Sequence, residues 1–133
     1  MVRRAYVVQT SAVIYRHAMI ETSTSTGLAR PATDGVTGTF VGIAEDIGNI
    51  TYPITGDGST VYVYVINNID VLLPTATAIT VGNTGISTIY AADDQTATAA
   101  VSAGPVIGVM VNFVATNSAW IALRETTAAV AAG

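Results

Sequence analysis

Residues 61–74, VYVYVINNIDVLLP, are the most apolar stretch of the chain, yet they carry two asparagines and an aspartate at their centre. Val61, Val63 and Val65 alternate with Tyr62, Tyr64 and Ile66, and Ile69, Val71 and Leu73 alternate again beyond Asn67-Asn68. A two-residue period of β-branched and aromatic side chains is the signature of a strand. Asparagine tolerates φ > 0, so Asn67-Asn68 reads as a type I′ hairpin turn between two strands. The competing readings are a β-bulge in one long strand, with Asp70 facing solvent at an edge, a polar site let into a core, and a metal ligand.

The same period extends outward. Strands are expected over Tyr6–Thr10, Ala12–Ile20, Phe40–Asp46, Val61–Ile66, Ile69–Leu73, Ala78–Val81, Ile86–Tyr90, Val106–Val114 and Ala119–Leu123. Turn signals separate them at Ser25-Thr26-Gly27, Asp34-Gly35, Gly56-Asp57-Gly58, Gly82-Asn83 and Thr116-Asn117-Ser118. The fold class is therefore all-β: a small β-sandwich or barrel with long Thr/Gly-rich loops over residues 21–39 and 91–105. The 133 residues suit a single β domain, with a core over 5–124, an N-terminal arm over 1–4 and a C-terminal tail over 125–133. Phe40-Val41-Gly42-Ile43-Ala44 and Val106-Ile107-Gly108-Val109-Met110 echo one another, and glycine inside a strand marks a bulge or corner at Gly42 and Gly108. VYVYVI and VIGVMVNFV are apolar on both faces, which implies cover on both sides, by a second sheet or another subunit.

Composition narrows function. Cysteine and lysine are absent, the only cations are five arginines, and the net charge is −4. A duplex-binding surface needs clustered positive charge, so nucleic acid is not an expected partner. No run approaches the roughly 18 apolar residues of a membrane helix, and the N-terminal apolar segment is interrupted too early for a secretory signal. A soluble protein used without export, with no membrane partner, is the expectation. The apolar surplus points to an oligomer.

Chemistry has few carriers. His17 is the single histidine and lies within an apolar strand pattern, where a structural or surface role is expected. Glu45 and Asp46 are adjacent and point to opposite faces of a strand. Asp93-Asp94 lies in a loop, and Gly56-Asp57-Gly58-Ser59 lacks the spaced ligands of a calcium loop. No nucleophile elbow or phosphate loop occurs. No catalytic residue, cofactor or metal is expected, and the protein reads as no enzyme. Tyr62, Tyr64 and Trp120 would suit stacking on a sugar ring, against the alternative that the tyrosines pair across strands and Trp120 packs in the core or an interface.

Several segments, taken in order, resemble the small capsid decoration, or cement, proteins of tailed bacteriophages. They are Ala18-Met19-Ile20, Phe40-Val41-Gly42-Ile43-Ala44, Asn68-Ile69-Asp70-Val71-Leu72-Leu73-Pro74, Gly82 leading to Ile89-Tyr90, Pro105-Val106-Ile107-Gly108-Val109, and Trp120-Ile121-Ala122-Leu123. The likeness spans about residues 5–124, and it departs from the family at Asn67-Asn68, where a glycine is usual. It implies a non-catalytic β domain on the outer surface of the virion capsid. There, as a homotrimer, it would clamp neighbouring major capsid protein subunits. Capsid contact is assigned to Val2, Arg3, Arg4 and Tyr6, and the subunit interface to Val106, Val109, Val111 and Phe113. The alternatives are a carbohydrate-binding or adhesin β-sandwich and another virion structural module of a tail or fibre.

Overall fold

The computed structural model describes residues 1–33, 38–45, 50–75, 88–99 and 104–124. The expected strand Ala78–Val81, the start of Ile86–Tyr90, Asp46, the turns at Asp34-Gly35 and Gly82-Asn83, and the tail 125–133 lie outside these residues. The described chain is all-β, as the periodicity requires. It contains β1 Val2–Val7, β2 Val13–Ile14, β3 Met19–Ser23, β4 Ala29–Pro31, β5 Gly38–Ala44, β6 Ile54–Thr55, β7 Tyr62–Asn67, β8 Asp70–Pro74, β9 Thr88–Ala91, β10 Ala97–Thr98, β11 Val106–Ala115 and β12 Ser118–Leu123.

Ten of these strands form two five-stranded sheets, ordered β1-β7-β5-β3-β4 and β8-β12-β11-β9-β10, and β2 with β6 makes a small third sheet. The two large sheets share one topology, and their registers match rung by rung. Ile20 faces Gly42 and Glu21 faces Phe40, leaving Val41 over; Ile89 faces Gly108 and Tyr90 faces Val106, leaving Ile107 over. Ile43 faces Ile66, which faces Arg3, as Val109 faces Ala122, which faces Asp70. Each sheet curls until its outermost strands meet through one parallel bridge, Val8 with Ala29 in the first and Thr75 with Ala97 in the second. The molecule is thus two copies of one curled five-stranded unit.

Each curl encloses a core. Inside the first unit, Val8, Ile20, Ala29, Val63 and Val65 pack with Ile14 and Ile54, so β2 and β6 stopper that curl. Inside the second unit, Ile89, Ile107, Met110, Ile121 and Leu123 pack against Met19 and Phe40, which stand on the outer face of the first. Neighbouring residues of β3 therefore serve different cores, Met19 one and Ile20 the other, which buries both faces of that strand.

Several expectations are corrected. Asn67-Asn68 is not a hairpin turn, because β7 is already bonded to β1 and β5 and the chain leaves it for the other sheet. Asn67 ends β7 opposite Val2, and Asn68 turns the chain at φ 56. Residues 2–4 are not a free arm; they pair with Asn67, Ile66 and Val65 as the start of β1. Ala12–Ile20 is broken into β2 and β3 by an exposed turn at His17, whose φ is 62. The expected loops 21–39 and 91–105 contain the end of β3, all of β4 and all of β10. β7 is covered on one face only: Val63 and Val65 are buried, whereas Tyr62 and Tyr64 are exposed.

Candidate interaction surfaces

Three carboxylates, Glu21, Glu45 and Asp57, are engaged in holding the fold. Glu21 is fully buried in β3; its Oε2 accepts a bond from Arg30 Nε on the neighbouring β4 at 2.6 Å, and its Oε1 accepts the Thr33 N–H at 3.1 Å. Glu45 accepts from Arg3 Nε at 2.7 Å across the end of β7, and its backbone carbonyl accepts the Tyr52 hydroxyl at 2.6 Å. Asp57 gathers its own turn: one oxygen accepts the N–H groups of Ser59, Thr60 and Val61, and the other accepts the Thr60 hydroxyl. The Thr60 hydroxyl first, then these N–H groups, hold the Asp57 carboxyl well below the usual carboxylate range. Asp94 moves the other way, raised by partial burial and by the neighbouring charge of Asp93. Among the described residues no group of three His, Cys, Asp or Glu side chains is placed to hold a metal ion. No helix there is long and apolar enough to cross a membrane.

Of the residues assigned to capsid contact, Val2, Arg3 and Arg4 lie on β1, the outermost strand of the first sheet. Arg3 is already engaged within the chain by Glu45, and Tyr6 is half-buried against the first core, so the four do not form a free basic arm. Of those assigned to the subunit interface, Val106 and Val109 lie on the outward face of β11 and are half-buried. Val111 sits in a register shift between Met110 and Asn112, and Phe113 turns inward onto the second core. Gly42 and Gly108 occupy matched positions beside Val41 and Ile107, the residues skipped in the registers with β3 and β9. A Cβ on Gly42 would lie 2.5 Å from the Ile66 carbonyl oxygen, and one on Gly108 would overlap that of Ala122. Asn67 is buried; its Oδ1 accepts the Asn68 N–H at 2.8 Å, and its Nδ2 has no hydrogen-bond partner among the described residues.

Trp120 is not a core residue. It is 40% exposed, beside Leu72 at 50% on one rung and Asn112 on the other, all on the outward face of the second sheet. The position matching Trp120 in the first sheet is Tyr64, also 40% exposed, with Ala5 where the second sheet has Leu72. Sequence reasoning could not join Leu72 to Trp120, because β8 and β12 stand at opposite ends of the second unit's sequence. The molecule thus presents open sheet faces with exposed aromatic and aliphatic side chains. No known protein family, curated protein or solved structure matches the chain.

Proposed function

We propose that this protein is a capsid decoration protein of a tailed bacteriophage: a non-enzymatic β module that binds the outer surface of the assembled head as a homotrimer and bridges neighbouring major capsid subunits. The observation that carries the reading is the contrast between its two kinds of side chain. Glu21, Glu45 and Asp57 are tied into the fold, whereas Tyr62, Tyr64, Leu72 and Trp120 stand exposed on sheet faces. That is the distribution of a protein that works by surface contact. The choice of a phage head rests on the order of sequence segments that resembles the decoration proteins.

Val2, Arg3 and Arg4 then act from an outermost strand, which keeps their spacing fixed. Exposed charge contacts contribute only about 0–1 kcal/mol each, so firm attachment depends on several chains of one oligomer engaging at once. The test is sedimentation of the protein with expanded tailed-phage heads stripped of their own decoration protein. Saturable co-sedimentation, weakened by replacing Arg3 and Arg4 with alanine and by added salt, is the expected result. Absence of saturable binding overturns the reading.

A second reading, a carbohydrate-binding module, is favoured by one observation: Tyr62, Tyr64 and Trp120 are all exposed, with Asn112 beside Trp120. Against it, the two tyrosines and the tryptophan stand on different sheets. Binding on a glycan array together with indifference to heads would select it.

A further inference from the structure

We propose that the second unit opens by unfolding as one piece on a first unit that stays folded, a conformational step that uncovers Met19, Ala32 and Phe40. The reason lies in which residues build the two cores. Every described residue of the first core, from Tyr6 to Val65, belongs to the first unit. The second core is mixed. Ile89, Ile107, Met110 and Ile121 come from the second unit, but Met19, Ala32 and Phe40 come from the first, with Ile43 packed beside them.

The dependence therefore runs one way. If the second unit opens, the described first core loses no member, and β2 and β6 still stopper its curl through the buried Ile14 and Ile54. If the first unit opens, the second core loses three buried side chains, Phe40 the largest of them. Its remaining residues then line a void that water enters, which a small core does not survive.

Backbone bonding follows the same boundary. Among the described residues the strands of each large sheet pair only within their own unit, and β2 pairs with β6, so opening the second sheet breaks no ladder of the first. The boundary is crossed where Met19 donates its N–H to the Asp94 carbonyl at 2.7 Å. Proteins open in contiguous cooperative units of this kind, at free energies set by the contacts each unit gives up. The step belongs to the fold and is independent of what the protein binds.

The test is hydrogen exchange of the full chain, read by mass spectrometry on peptides covering β7 and its matched strand β12, under conditions where exchange follows the opening equilibrium. The β12 amides are expected to be at least about tenfold less protected than those of β7. Two substitutions, each removing one methyl group from a fully buried side chain, fix the order of opening. Ile89→Val weakens the second core, which favours both the half-open and the fully open molecule, so both strands should exchange about fivefold faster. Ile14→Val weakens the first core, which is intact in the half-open molecule. In that variant β7 should exchange about fivefold faster and β12 should be unchanged. Any other pattern overturns the proposal. An equal response of both strands to both substitutions means one cooperative opening, and acceleration confined to the substituted unit means two independent ones. Acceleration of both strands by Ile14→Val, with Ile89→Val accelerating β12 alone, means that the first unit opens first.

Discussion

Arg30→Ala is the substitution whose cost the structure defines most sharply. The Glu21 carboxylate is 0% exposed and has two donors among the described residues, the Arg30 guanidinium at 2.6 Å and the Thr33 N–H at 3.1 Å. Removing the guanidinium leaves a buried negative charge with one neutral donor, a change that costs about 3–5 kcal/mol. The Arg30 side chain is 21% exposed, so water can enter part of the vacated space and the lower end, about 3 kcal/mol, applies. For a chain of this size that is a fall in melting temperature of roughly 10 °C. Glu21→Gln removes the charge and keeps an acceptor, and in that background Arg30→Ala should cost about 1 kcal/mol. The assay is a double-mutant cycle by urea unfolding with an unchanged m-value. Arg3 and Glu45 are the comparison: Glu45 is 12% exposed but the Arg3 side chain is 57% exposed, so water reaches the vacated site and Arg3→Ala should cost less than Arg30→Ala. The reasoning fails if Arg30→Ala melts within ~2 °C of the parent, or if it costs as much in the Glu21→Gln background as beside the native carboxylate.

Gly108→Ala drives a Cβ into the Ala122 carbonyl in the middle of the second sheet, and should destabilise by roughly 2–3 kcal/mol in urea unfolding. Gly42→Ala, at φ 143 and against the Ile66 carbonyl, should cost a similar amount; a neutral result at either position contradicts the backbone contact. Asp57 supplies a pH signature. Its folded-state carboxyl titrates below that of the unfolded chain, at about 4, so its stabilisation is present above that pH and is lost as pH falls through and below it. Asp57→Asn should therefore lower the melting temperature at pH 7, with the gap to the parent narrowing below about pH 4. A gap that stays constant down to pH ~2 would show that the carboxylate charge is irrelevant to the turn.

The strands that were legible from the sequence are those whose period is enforced by a covered face. Val63 and Val65 are buried and Tyr62 and Tyr64 are not, so β7 shows its alternation in the sequence. β4 and β10 were missed because Ala29-Arg30-Pro31 and Ala97-Thr98 are too short to show a period, and pairing with β3 and β9 defines them. Asn67-Asn68 misled for a related reason. Its tolerance of positive φ was read correctly at Asn68, but local preference fixes only that the chain turns, and not which strand receives it. The pairing of Trp120 with Leu72 was hidden, since the two meet only through the β12–β8 register.

The doubling of the unit shows most clearly what sequence can and cannot carry. The spacing between matched positions changes from strand to strand, from Val8 and Thr75, through Ile20 and Ile89 and Gly42 and Gly108, to Ile66 and Ala122, because the loops between the strands differ. No fixed period survives that drift, so a search for repeats at constant spacing has nothing to find. Most matched pairs also need to agree only in being apolar, and Val65 with Ile121 or Ala44 with Met110 satisfy that without resembling one another. Identity persists where geometry leaves little choice. Gly42 and Gly108 each sit against a carbonyl that no Cβ could approach, and Ala29 and Ala97 are fully buried where each sheet closes on itself. The echo between residues 40–44 and 106–110 was therefore a true sign of the architecture, visible because a backbone contact had held its glycines in place. The difference that bears on function lies in the residues free to change. One unit's outer face is an internal packing surface built on Met19 and Phe40, while the other presents Trp120 and Leu72 to solvent.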